Sequence, residues 1–206
     1  AEALAAEFAA AGGQTALLPG VVSDPAQAAA LVRAAEEQLG PLGALVCNAG
    51  VARPQQLLTD ATDEQWRQVM GVDLDGVFYT LRAAVPGFVR RQRGAIVTVS
   101  SMWGVTGGPC EVAYSAAKAG VIGLTKAPAK EVGPSHITVN CVAPGVIDTE
   151  MNGGLDSEAL AALAEETPLG RIGTAEEVAE SVWFLAGGGA PFLTGQVIQP
   201  NGGIVI

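Results

Sequence analysis

Three side chains in the middle of the chain have types and spacings that suit proton transfer. Tyr114 and Lys118 stand four positions apart in Tyr114-Ser-Ala-Ala-Lys118. On a helix that spacing places both on one face, one turn apart. Ser101 lies thirteen positions before Tyr114, at the end of Ala95-Ile-Val-Thr-Val-Ser-Ser101, a β-branched run of the kind that forms a buried parallel strand. Open α/β sheets bind ligands outside the carboxyl ends of their strands, so a hydroxyl, a phenol and an ammonium can converge there. A free phenol, with a pKa near ~10, is a poor acid or base at neutral pH. A neighbouring ammonium favours the phenolate and is expected to pull that pKa down. The phenol can then exchange a proton with a carbonyl or alcohol oxygen that Ser101 holds in place. A carbonyl that gains a proton must also gain a hydride, which no side chain supplies, so a nicotinamide cofactor is implied. Taken alone, Tyr-x-x-x-Lys is also the pattern of a surface pair on an ordinary helix.

The elements that must position these groups alternate along the chain. A helix is predicted over 1–11, closed by Gly12-Gly13, and a strand over 14–22. Asp24 and Pro25 open a helix that runs to about Leu39. A strand over 42–47 ends in Asn48-Ala-Gly50, and Thr62 and Gln65 have the spacing of a capping box for a long helix to about Arg93. The Ala95–Ser101 strand, a Gly-rich loop and the Tyr114–Lys118 helix over 113–132 follow, then a strand over 137–142. A short acidic helix over 156–166, a helix from Thr174 to Leu185 and a last strand over 196–199 complete the pattern. Such alternation predicts an α/β fold with a doubly wound, mostly parallel, Rossmann-like sheet. Pro128, inside the Tyr-Lys helix, removes a backbone N–H and clashes with the preceding turn, so a kink is expected there.

Four motifs occur in series: Asn48-Ala-Gly50, the Ser101–Tyr114–Lys118 set, Pro144-Gly-Val-Ile-Asp-Thr149, and Gly195-Gln-Val-Ile-Gln-Pro-Asn-Gly-Gly203. The series resembles the short-chain dehydrogenase/reductase family, and within it the 3-oxoacyl-[acyl-carrier-protein] reductases, over the whole chain. The resemblance implies reduction of a 3-oxoacyl thioester to its 3-hydroxyacyl form with NADP(H), in fatty acid biosynthesis. It implies Tyr114 as the proton donor, Ser101 as the group orienting the substrate oxygen, and Lys118 as the residue that tunes Tyr114 and holds the nicotinamide ribose. Asp73 takes the position of a family Asn whose main-chain carbonyl holds a relay water. Asn48, Ala49 and Gly50 would back the adenosine ribose; Gly145, Val146, Ile147 and Thr149 would face the nicotinamide amide. Other short-chain reductases, acting on a sugar, steroid or small ketone, share these motifs.

The chain departs from the family in several places. The Gly-rich turn that holds a pyrophosphate over a helix N-terminus does not occur in the sequence. The first two strands of the family's sheet are therefore expected to be missing. Residues 1–206 read as a single dinucleotide-binding reductase domain, N-terminally incomplete, with a Gly-rich turn expected before Ala1. The strand over 14–22 would then have no partner, and the strand over 42–47 would be a bare edge. Val21 stands where the family carries an adenine-bonding Asp or Asn, and the Asp73 carboxylate adds a charge near Lys118. These departures leave a non-catalytic, truncated subunit as the alternative of a different class.

Composition narrows the partners. At 206 residues with a formal net charge of −10, the chain suits one core and not nucleic acid. Arg82, Arg90, Arg91 and Arg93 hold four of the eleven basic residues. They form either a solvated face or a docking patch for an acidic partner. The resemblance implies acyl carrier protein there, at Arg90, Arg91 and Arg93. Trp103 and Met102 are expected to be either substrate-pocket walls or core, and His136 to be solvated. Cys47, Cys110 and Cys141 lack metal-ligand spacing and suit a reducing cytoplasm. Small residues at Ala113, Ala116, Ala117, Gly120 and Gly123 permit close helix approach, and the family pairs these helices in a homotetramer with D2 symmetry.

Overall fold

The computed structural model describes residues 2–153 and 156–206. Its helices are α1 Glu2–Ala10, α2 Pro25–Leu39, α3 Asp63–Met70, α4 Gly76–Arg91, α5 Met102–Thr106, α6 Val112–Val132, α7 Ser157–Glu166 and α8 Ala175–Ala186. The strands are β1 Ala44–Cys47, β2 Gly94–Val99, β3 Ile137–Val142 and β4 Val197–Ile198, all parallel, in the order β1-β2-β3-β4. Ala1, at the start of the first predicted helix, lies outside the described residues.

Successive strand residues face opposite sides, and both sides of this sheet are covered. Ile96, Ile137, Val139 and Cys141 pack with Val32 of α2, Leu81 and Phe88 of α4, and Val121 of α6. Val97 and Val142 point the other way, onto Leu185 of α8 and Ala190. This is the doubly wound α/β arrangement that the alternation of strands and helices predicts. Buried Asn140 ties the short β4 to its neighbour. Its Nδ2 donates to the Leu193 carbonyl at 2.8 Å and its Oδ1 accepts from the Gln196 N–H at 3.1 Å.

The predicted strand over 14–22 does not form. A parallel strand needs a ladder partner for its N–H and C=O groups, and none of the four strands pairs with this stretch. Leu17 and Val21 are half exposed. The segment is instead tied to the start of α2: the Val21 N–H donates to Gln27 Oε1 at 3.0 Å, and Asp24 Oδ1 accepts from the Ala26 and Gln27 N–H groups. As expected from the sequence, β1 is an edge strand.

The predicted helix over 62–93 is present with its capping box, Gln65 N–H to Thr62 Oγ1 and Thr62 N–H to Gln65 Oε1. It is not uniform: Gly71–Asp75 is one π-helical turn between α3 and α4. Proline interrupts neither long helix, because α4 runs through Pro86 and α6 through Pro128; no break appears at Pro128. The small residues of α6 divide. Ala117 is fully buried, and a Cβ on Gly120 would lie 2.8 Å from Leu74 Cδ1, so both serve packing within the chain. Gly123 faces open space.

The stretch read as a Gly-rich loop after Ser101 contains α5. Ser101 Oγ accepts from the Trp103 N–H at 3.2 Å as its N-cap, and Gly107, at φ +76°, ends it. Within α5, Gly104 lies against the backbone of α6. A Cβ there would stand 2.7 Å from the Lys118 carbonyl carbon and 2.5 Å from Ser100 Oγ, which itself donates to the Lys118 carbonyl at 2.7 Å. Gly104→Ala must push α5 from α6, so urea denaturation is expected to show a loss of about 1–3 kcal/mol.

Candidate active site

Ser101 follows β2 because Val99 ends the ladder opposite Val142. The chain turns immediately into α5, leaving Ser101 buried at the carboxyl end of the sheet. Ser101 Oγ accepts from Trp103 N–H, so its own proton remains available to another oxygen. Tyr114 and Lys118 sit on the first two turns of α6, and Lys118 Nζ lies 5.4 Å from the Tyr114 ring centroid. The side chain of Lys118 is almost fully buried. It donates to the Val99 carbonyl at 3.2 Å.

Asp73 occupies the centre of the π turn and is wholly buried. Its Oδ1 accepts from the Val51 N–H at 2.8 Å. Its Oδ2 lies 3.4 Å from Lys118 Nζ, an ion-pair distance, without a hydrogen bond of good geometry. Burial raises the Asp73 pKa, while Lys118 and the Val51 N–H hold it down.

One electrostatic expectation is overturned. The sequence predicts a Tyr114 phenol lowered by Lys118. In the structure, burial pushes it up to about 12; the nearby Ser101 hydroxyl opposes the rise, and the carboxylates of Asp73 and Glu111 add to it. The Lys118 charge faces the Asp73 carboxylate as well as the phenol, so its pull on Tyr114 is offset.

Gly50 borders the same volume: a Cβ there would lie 3.3 Å from Lys118 Nζ and 3.4 Å from Asp73 Oδ2. Asn48 and Ala49 form the exposed turn after β1. After β3, the Gly145 N–H donates to the Pro200 carbonyl at 3.1 Å, and a Cβ on Gly145 would stand 2.8 Å from Asn201 Cα. The Val146 carbonyl accepts from Gly173 N–H and the Ile147 carbonyl from Asn152 Nδ2. Val146 and Ile147 also line a cavity of ≈ 180 Å³ with Thr167, Arg171 and Asn201, to which Tyr114 does not contribute. Thr149 is exposed, its hydroxyl 3.5 Å from the Ile147 carbonyl. Thus Asp73, Ser101, Tyr114, Lys118 and Gly50 come together, while the other candidates frame the ends of β1 and β3.

These residues suit the nicotinamide-ribose end of a dinucleotide. An ammonium has three N–H donors; Val99 and Asp73 face two of them, leaving one for a ribose hydroxyl, and Gly50 keeps the approach free of a side chain. Among the described residues, no three His, Cys, Asp or Glu side chains gather as a metal site.

Sequence reasoning missed Ser100, the Val51 N–H, the Val99 carbonyl and Glu111. Of these only Ser100, adjacent to Ser101, carries a signal in the sequence. Met102 is core, and His136 is an exposed αL residue at φ 58°. Arg91 is withdrawn from the predicted docking patch. Its guanidinium bonds Glu36 Oε1 at 2.9 Å and the Leu42 carbonyl at 2.8 Å and lies over the Phe88 ring. Arg90 and Arg93 remain exposed.

A family model described as Enoyl-(Acyl carrier protein) reductase matches residues 1–205. A Thermotoga maritima protein, "3-oxoacyl-[acyl-carrier-protein] reductase FabG", is 42% identical over 185 residues, covering 90% of this chain and 75% of that protein. The protein of the same name from Staphylococcus aureus is 39% identical over 204 residues, covering 99% of this chain and 82% of its own length. That of Vibrio cholerae is 38% identical over 183 residues, covering 89% and 75%. With the parallel sheet and the Ser101, Tyr114 and Lys118 constellation already in place, these likenesses establish that the chain belongs to the short-chain dehydrogenase/reductase family.

Proposed function

We propose that the protein is an NADP(H)-dependent reductase of 3-oxoacyl thioesters carried by acyl carrier protein, working in fatty acid biosynthesis, with residues 1–206 forming one dinucleotide-binding reductase domain. The observation that carries this reading is the convergence of Ser101, Tyr114 and Lys118 at the carboxyl end of β2. Relatives named for 3-oxoacyl-[acyl-carrier-protein] reduction support the substrate class. Tyr114 gives its proton to the keto oxygen, and its high pKa keeps that proton in place at neutral pH. Ser101 donates a second hydrogen bond to the same oxygen. Lys118 would hold the nicotinamide ribose, and Asp73 takes the relay position. The nicotinamide cofactor, when bound, supplies the hydride; Asn48, Ala49 and Gly50 would hold its adenosine ribose, and Gly145, Val146, Ile147 and Thr149 its amide end. Three unpaired cysteines fit a reducing cytoplasm, and no described helix is long and apolar enough to cross a membrane.

Tyr114→Phe keeps the ring and is expected to lower the rate of acetoacetyl thioester reduction at least ~100-fold with cofactor affinity unchanged. Ser101→Ala should cost a similar factor. Lys118→Ala should cost more and weaken cofactor binding as well, read by cofactor fluorescence titration. A Tyr114→Phe enzyme reducing the thioester at the natural rate would remove the basis of this reading.

Of the three arginines that the resemblance assigns to an acidic carrier protein, Arg90 and Arg93 at the end of α4 stay exposed. Reversing both to Glu is expected to raise KM for the carrier-bound substrate and leave KM for a small thioester unchanged, with the difference shrinking at high salt. Arg91→Ala should instead lower stability, because the Glu36 carboxylate and the Leu42 carbonyl lose their partner.

Assembly as a homotetramer follows from the family and is supported by Trp183, Phe184 and Phe192, which are 71%, 47% and 100% exposed in the isolated chain. Light scattering at micromolar concentration is expected to give four chains per particle; a monomer would refute the assembly.

A further inference from the structure

Position 73 carries an acid, and its carboxylate turns into the site. The π turn that places it leaves Asp73 with no solvent exposure, Oδ1 on the Val51 N–H at 2.8 Å and Oδ2 at 3.4 Å from Lys118 Nζ. Lys118 in turn reaches the Val99 carbonyl at 3.2 Å and lies 5.4 Å from the Tyr114 ring centroid. One buried ammonium is therefore shared between a carboxylate and a phenol. Gly50 borders the pair: a Cβ there would stand 3.3 Å from Nζ and 3.4 Å from Oδ2.

We propose that the Asp73 side chain is a positioning residue that neutralises Lys118, so that Tyr114 keeps the proton that carbonyl reduction requires. This role belongs to the carboxylate and is separate from any use of the Asp73 main-chain carbonyl. It rests on the reading of Tyr114 as the proton donor. Reduction needs the neutral phenol, whereas oxidation of the alcohol needs the phenolate to accept a proton. An unpaired ammonium beside Tyr114 would favour the phenolate; one matched by a buried carboxylate does so far less.

Other groups facing the phenol act in known directions. Glu111, next to the start of α6, also disfavours the phenolate, and Ser101 favours it. Arg53 and Cys110 line the small cleft at Tyr114 with Gln65, Trp66 and Val69. Arg53 is exposed, and α3 brings only those three uncharged side chains.

Asp73→Asn keeps the shape and an oxygen for the Val51 N–H while removing the charge. Tyrosinate absorbance against pH, taken as the difference between the enzyme and its Tyr114→Phe variant, reads the phenol directly and removes the share of every other tyrosine, Tyr79 included. Asp73→Asn is expected to bring the Tyr114 titration down by about one pH unit or more. A folded Asp73→Asn enzyme whose phenol titrates as in the natural protein overturns the proposal. Should that variant fail to fold, Asp73→Asn with Lys118→Met removes both charges together. The phenol should then titrate within about half a pH unit of the natural value, and a change of one unit or more in either direction overturns the proposal. The titration needs no substrate. An enzyme showing the shift but inert toward acetoacetyl thioester would therefore overturn the substrate reading while supporting this one.

Discussion

The buried ion pair between Asp73 and Lys118 is the interaction on which the site depends. Removing two charges from water costs several kcal/mol per ion, and attraction offsets it only where further hydrogen bonds complete both groups. The Val51 N–H on Asp73 Oδ1 and the Val99 carbonyl on Lys118 Nζ supply part of that here, and Asp73 Oδ2 has the ion pair alone. The pair thereby joins four segments: the turn after β1, the π turn between α3 and α4, the end of β2 and the first half of α6. Losing one partner would leave an uncompensated buried charge, a change worth about 3–5 kcal/mol in general. Site geometry and stability are coupled through these two side chains.

Backbone geometry makes that meeting possible. A π turn adds a residue to the helical repeat, and such turns are frequent at functional sites. Here it places Asp73 inside while Asp75, two positions on, stays exposed. Gly104 lets α5 lie on the backbone of α6 at Lys118, so Ser100 can bond the Lys118 carbonyl. Gly50 leaves room for Nζ and Oδ2 together. Each is a close approach in which a larger residue would move a reacting group, and displacements of about 1 Å matter at such sites.

The electrostatic result is a phenol that holds its proton. Burial dominates, and the two nearby carboxylates reinforce it. A phenol that holds its proton suits the proposed step, in which a keto oxygen takes one.

Local patterns in the sequence determined much of the molecule. The β-branched run at 95–99, the capping box at Thr62 and Gln65, and the helical spacing of Tyr114 and Lys118 depend only on neighbours in the chain, and all three stand in the structure. Alternating strands and helices were enough for a parallel sheet covered on both faces. Residues 14–22 have strand composition, but pairing is a property of two segments, and the absence of the Gly-rich turn from the sequence already left them without an expected partner. Two features were decided by tertiary structure alone. Arg91 looks like its neighbours Arg90 and Arg93, yet only the fold brings Glu36, fifty-five positions away, to its guanidinium. Spacing along α6 placed Lys118 beside Tyr114 but could not reveal what stands on the other side of the ammonium. Asp73 reaches it through a π turn that no periodicity announces. The sign of the phenol's shift therefore followed from burial and a distant carboxylate, both products of packing.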